Sequence, residues 1–210
     1  SPHYGERWGR HWLDVARYGE SHGYESDSER PTAWTYRDAV IRALNEDLPF
    51  NRFVHWQLAG DLLQPERPLA VALTGFITAG PTVTNVDGVD REKAMYDKMD
   101  DIVASTGSAF LALTVGCARC HDHKYDPIAQ RDYYRLVGFF LPGSAGDREL
   151  AVGRMMAKVK AFTWKGGAPR TNPLLERGDT EAKRGDVGRG VLAALSFDDG
   201  EVSRWIEESG

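Results

Sequence analysis

Cysteine is nearly missing from this 210-residue chain, which has only Cys117 and Cys120. Two thiols are too few for a disulfide-stapled scaffold, so a hydrophobic core must hold the fold. No uninterrupted apolar run approaches bilayer length, which excludes a membrane span in this chain. No basic block interleaves with aromatics, and 26 basic against 31 acidic residues give a net charge of -5, so an extended nucleic-acid surface is not expected. Internal repeats and low-complexity tracts are also missing, as are a Ser-His-Asp motif, a phosphate loop and an HExxH helix. Ser1 follows no initiator Met, charged n-region or apolar h-region, which suggests a processed chain or an excised piece. What is present is ordinary for a soluble globular protein: 41% hydrophobic and 27% charged residues, enough for one large domain or two small ones.

The two cysteines stand in Gly116-Cys117-Ala118-Arg119-Cys120-His121, which reads CxxCH. Residues three apart lie on one side of a helical turn, so both thiols can add to the two vinyl groups of a haem while His121 swings its imidazole beneath the iron. Covalent haem c with His121 as proximal ligand is the leading reading. Three others stand beside it. A thioredoxin-like dithiol belongs between a strand and a helix, whereas these flanks read helical. A zinc site drawing on Cys117, Cys120, His121 and His123 crowds four ligands into seven residues, with no second half-site. Two inert thiols beside a surface histidine complete the alternatives.

Periodicity predicts a mainly α protein of about six helices with a short irregular or α+β tail. Tyr4, Trp8, His11, Trp12, Val15 and Tyr18 mark a first helix over 2–18, with Pro2 at its start. After a polar loop over 19–31, Val40, Ile41, Leu44 and Leu48 form the stripe of a second helix, and Pro49 separates it from a third that Gly60 can close. A shorter helix is expected over 69–79. Asp90 can cap a long helical segment carrying Met95, Met99, Ile102, Val103, Thr106, Phe110 and Leu113 toward the motif, and Asp126-Pro127 announces one more helix ending near Phe140. Glycine and charge become dense after Pro142-Gly143, with a strand near 159–164 and a short helix near 202–206. The expected division is a helical CxxCH domain over 1–145 and, over 146–210, a linker plus the start of a second domain.

Several stretches together resemble the secreted cytochrome-c-like proteins abundant in planctomycetes. They are Ser1-Pro2-His3-Tyr4-Gly5-Glu6-Arg7-Trp8 with Arg10-His11-Trp12-Leu13-Asp14, then Gln57-Leu58-Ala59-Gly60-Asp61-Leu62, and most specifically Cys117-Ala118-Arg119-Cys120-His121-Asp122-His123-Lys124-Tyr125-Asp126-Pro127 with Gln130-Arg131-Asp132-Tyr133-Tyr134. The resemblance implies a periplasmic or secreted protein, in a setting of polysaccharide breakdown, whose helical domain joins a second domain of unknown function. Glu176-Arg177-Gly178-Asp179 onward looks like the start of that second domain, and the chain like a piece spanning the junction.

The sixth iron ligand decides between electron transfer and ligand chemistry, and His11 is the first candidate, ahead of Met95, Met99, His22 and His55. Arg119, Lys124 and Arg131 are candidates to pair with haem propionates, and His123 to bond near the haem edge. The acidic loop 25–29 lacks calcium-loop spacing and reads as a solvated loop. The functional expectation is one-electron transfer with an unidentified redox partner. A second reading, from another class, is a component of an extracytoplasmic carbohydrate-active enzyme, for which Asp14, Asp61 and Asp126 offer carboxylates.

Overall fold

A computed structural model of the chain describes residues 1–23, 27–83, 91–152, 157–166, 173–176 and 179–186. The fold is mainly α. In chain order the helices are α1 (Tyr4–Val15), α2 (Trp34–Asn45), α3 (Phe50–Leu63), α4 (Pro68–Leu73), α5 (Gly75–Thr78), α6 (Arg91–Thr106) and α7 (Gln130–Phe140). The run expected as one helix over 69–79 is divided at Thr74, whose hydroxyl donates back to the Val71 carbonyl at 2.7 Å. Residues 70–80 are all buried and form the axis around which the other elements pack.

α1 packs on α2 with the face opposite to the one its apolar spacing predicts. Gly5 and Gly9 are its buried residues, while Tyr4, Trp8, His11 and Val15 are exposed, Trp8 at 51%. A Cβ on Gly5 would overlap the Ile41 carbonyl oxygen, and one on Gly9 would press on Ile41 Cγ1 at 3.3 Å. The contact is therefore backbone-close, and the Gly5 amide donates to Asn45 Oδ1 at 2.7 Å. A hydrophobicity stripe cannot register a face made of glycine. Trp12 carries the stripe inward, its ring 4.9 Å from Phe53 and 5.6 Å from Phe110, with Nε1 donating to the buried Tyr36 hydroxyl at 3.0 Å, and Tyr18 packs on the core 6.2 Å from the Tyr36 ring.

Gly60 does not close α3. It sits inside the helix, just after a kink at Ala59, where its missing side chain admits the Ala70 carbonyl of α4. Asp61 is buried beside it and accepts from the Gly166 amide at 3.0 Å.

The strand expected near 159–164 is β2 (Ala157–Lys165), paired antiparallel with β1 (Ser144–Val152) from Ser144 opposite Lys165 to Val152 opposite Ala157. This hairpin belongs to the helical core. Leu150, Ala161, Thr163 and Trp164 are buried, the Trp164 amide donates to Thr74 Oγ1 at 3.2 Å, and Arg30 lies 5.6 Å over the Phe162 ring while its guanidinium caps the Thr78, Ala79 and Gly80 carbonyls at the end of α5. The division expected at residue 145 thus falls inside β1, because the hairpin buries its apolar face on α4 and α5. A second hairpin pairs β3 (Pro173–Glu176) with β4 (Asp179–Asp186). The expected helix near 202–206 and the Asp90 cap lie outside the described residues.

Candidate functional site

The chain reaches the motif through a break in helix geometry. α6 ends at Thr106, one π-helical turn follows (Gly107–Leu111), Ala112 turns left-handed at φ 54°, and a 3-10 turn (Val115–Arg119) carries the first cysteine. The segment expected as helix to Leu113 is interrupted because Val115 folds back onto Gly107, where a Cβ would stand 2.5 Å from Val115 Cγ2. Thr106 and Ser108 hydroxyls donate to the Ile102 and Ala104 carbonyls, at 2.8 and 2.7 Å, which competes with regular α-helical bonding. In a 3-10 turn residues three apart eclipse. Val115 and Ala118 accordingly face the core, at 2% and 0% exposure. Cys117 and Cys120 are both exposed and are free thiols.

Arg119, between the cysteines, turns inward. Its guanidinium donates to Asp97 Oδ1 at 2.7 Å and lies 3.4 Å from Asp100 Oδ2, both on α6. Partial burial pushes the guanidinium pKa down, but the Asp97 hydrogen bond and the charge of Asp100 outweigh it and raise the value. Its carbonyl accepts from Gln130 Nε2 at 2.9 Å and from the Tyr134 hydroxyl at 3.0 Å, while the Tyr133 hydroxyl donates to Asp100 Oδ1 at 2.6 Å. Burial and then Asp100 drive the Tyr133 phenol far above its ordinary range. The middle of the motif is thereby fastened to α6 and α7. Asp97 and Asp100 are not among the residues that the motif spacing points to; the available signal is the three-residue spacing of the two aspartates on one helix face.

His121 is exposed. Its Nδ1 lies 2.7 Å from the Asp122 carbonyl oxygen. A carbonyl only accepts, so Nδ1 carries the ring proton and Nε2 presents its lone pair. Metal-binding histidines use this arrangement, in which a bond at one nitrogen fixes the tautomer and leaves the other to ligate.

His123 is the buried member of the pair, its side chain 5% exposed. Nε2 is 3.0 Å from the Thr114 hydroxyl, and Nδ1 accepts the Asp126 amide at 2.9 Å and the Tyr125 amide at 3.3 Å. Asp126-Pro127 does not start α7 directly: α7 begins at Gln130, whose amide donates to Asp122 Oδ1 at 2.8 Å. The aspartates that serve the helix start are Asp122, eight residues ahead, and Asp132, whose Oδ2 accepts the Ala129 amide at 3.4 Å.

Of the remaining candidates, Lys124 is exposed with Nζ 5.1 Å over the Tyr125 ring, and Arg131 is exposed on α7. His11 is exposed on α1 with its ring 5.5 Å from Trp8. Met99 is buried and Met95 packs against the same core from α6. His22 and His55 are half-buried, in the loop before α2 and on α3. Asp14, Asp61 and Asp126 stand on α1, on α3 and in the loop after the motif, Asp61 bonded to Gly166 and Asp126 next to His123. Among the described residues, no group of three or more His, Cys, Asp and Glu side chains is arranged to hold a metal ion, so the zinc alternative finds no ligand set there. No helix among the described residues is long and apolar enough to cross a membrane.

The family model described as PSCyt2, protein of unknown function (DUF1549), matches residues 1–144. No curated protein and no solved structure matches the chain significantly.

Proposed function

The chain belongs to the PSCyt2 family of unknown function (DUF1549), and we propose that it is a c-type haem protein of the cell envelope that carries one electron at a time to or from a partner. The observation that carries this reading is the 2.7 Å contact of His121 Nδ1 with the Asp122 carbonyl, which assigns the ring proton to Nδ1 and leaves Nε2 as the lone-pair nitrogen of an exposed residue directly after two exposed thiols. The donor set fits a haem. Cys117 and Cys120 would hold the haem as thioethers, each S–H adding across a vinyl group with its hydrogen passing to the neighbouring carbon, and His121 Nε2 would ligate the iron. Haem bound there contributes the one-electron couple. Lys124 and Arg131 are the exposed cations of the motif region available for propionates, since Arg119 is engaged by Asp97 and Asp100.

Cys117, Cys120 and His121 are all exposed, so a haem held by them would be within reach of a docking protein. An extracytoplasmic location follows from the family resemblance, as does a setting of polysaccharide breakdown. The carbohydrate-enzyme alternative needs paired carboxylates; Asp61 is buried and holds the Gly166 amide, and Asp126 lies 3.3 Å from His123. A spectroelectrochemical titration of haem-loaded protein tests the reading. A reversible one-electron transition is expected, shifted or lost in His121→Ala while the haem stays attached; a loaded protein whose spectrum does not respond to potential overturns it.

A further inference from the structure

We infer that His123 is the positioning residue of the motif, a clasp that fixes the peptide to which His121 is bonded and so decides which nitrogen of His121 stays free. This rests on the haem-ligand reading of His121. The Tyr125 and Asp126 amides can only donate, so His123 Nδ1, which receives both, holds a lone pair, and its ring proton sits on Nε2 toward the Thr114 hydroxyl. Thr114 directly precedes the 3-10 turn that carries Cys117, and Tyr125 and Asp126 follow the motif. One imidazole therefore joins the chain entering CxxCH to the chain leaving it.

The connection to His121 runs through a single peptide group. The His123 amide donates to the Ile128 carbonyl at 2.8 Å. In a trans peptide the carbonyl of the same group, that of Asp122, points the opposite way, and it accepts His121 Nδ1–H at 2.7 Å. The Asp122 carboxylate holds the Gln130 amide of α7 at 2.8 Å. The peptide is thus gripped on one side by Ile128, on the other by His121, with the His123 ring locking the loop around it. The two histidines, two residues apart, carry opposite tautomers: His123 on Nε2 and His121 on Nδ1.

Asp126 Oδ2, 3.3 Å from His123 Nδ1, is the competing partner. A proton on Nδ1 would serve that carboxylate but would face two amide hydrogens, so the amides decide against it. With the clasp gone, His121 loses its fixed acceptor and Nε2 carries the ring proton for more of the time, a form that must give up that proton before the nitrogen can ligate.

The test uses the full chain with 15N-labelled histidine, made without haem, and long-range 1H–15N spectra to read both tautomers. His123 is expected as Nε2–H and His121 as Nδ1–H. His123→Asn places an amide oxygen where Nδ1 stood, keeps both backbone contacts, and is expected to leave His121 unchanged. His123→Leu is expected to cost His121 its dominant Nδ1–H form and, in haem-loaded protein, to shift the midpoint potential while the Asn variant does not. A wild-type His123 protonated on Nδ1, or the same His121 tautomer in His123→Leu and wild type, overturns the inference. If His123→Leu does not fold, the wild-type tautomer pair and the Asn rescue decide, and an Asn variant that loses His121 Nδ1–H overturns it. A chain with the expected tautomers that never takes up haem overturns the haem reading alone and leaves the clasp standing.

Discussion

Arg119 Nη2 meets Asp97 Oδ1 at 2.7 Å, so the residue between the two motif cysteines is anchored on α6, 22 positions earlier. Replacing it leaves Asp97 with Lys93 at 2.7 Å and Asp100 with the Tyr133 hydroxyl, each short of its guanidinium partner. Arg119→Met is expected to cost about 1–3 kcal/mol, tempered by the partial exposure of Asp97, measured as a fall in the urea midpoint at unchanged m-value.

The same pair sets an acid limit. Partial burial pushes the Asp97 carboxyl up, but hydrogen bonds from Lys93 and Arg119 outweigh it and hold it below its ordinary value. A depressed carboxylate contributes stability above its unfolded-state value, about 3.9, and loses it as pH falls through the lower folded value. Asp97→Asn should therefore destabilise at neutral pH and show a shallower stability loss below about pH 4 than wild type. Parallel acid-unfolding curves for the two proteins would contradict the pairing.

His22 works in a different window. Burial, then the charges of Arg30 and Lys98, lower its pKa, and its Nδ1 is buried without a hydrogen-bond partner. The unfolded chain takes up this proton first, so stability is full above the unfolded-state value, about 6.5, and declines as pH falls toward the folded one. Thermal midpoints should fall as pH drops below about 6.5 in wild type and fall less in His22→Asn.

The β1–β2 hairpin should behave as core. Trp164 is 3% exposed, and a Cβ on Gly143 would overlap its indole. Trp164→Ala is expected to cost about 3–5 kcal/mol and Gly143→Ala about 1–3 kcal/mol in denaturant unfolding. A loss below about 1 kcal/mol for Trp164→Ala would mean that the hairpin is an appendage rather than part of the core.

On α1 the contrast lies between glycine and the aromatics. Gly5→Ala forces the helix off the Ile41 carbonyl and should cost about 1–3 kcal/mol. Exposed His11→Ala should stay within about 0.5 kcal/mol of wild type in denaturant unfolding.

That contrast shows where sequence reading succeeds. Apolar spacing located α2, α6 and α7 because residues of their stripes, such as Val40 on α2 or Met99, Ile102 and Val103 on α6, are buried. It inverted α1 because burial there is achieved by close backbone approach at Gly5 and Gly9. It overlooked β1, whose Ser144, Gly146, Asp147 and Glu149 lack a strong alternating signal. CxxCH itself was legible from three letters, while its supports were not, since Asp97, Thr114 and Ile128 meet it only through the fold.

Covalent attachment of haem tests the account most directly. Full-length protein expressed in the periplasm with haem-maturation machinery should be red and keep its haem through denaturation and acid–acetone extraction, because two thioethers hold it. Cys117→Ala with Cys120→Ala should lose the haem to the solvent phase. Complete extraction from the wild-type protein, or retention unchanged in the double variant, would contradict the assignment of Cys117, Cys120 and His121 as a haem site.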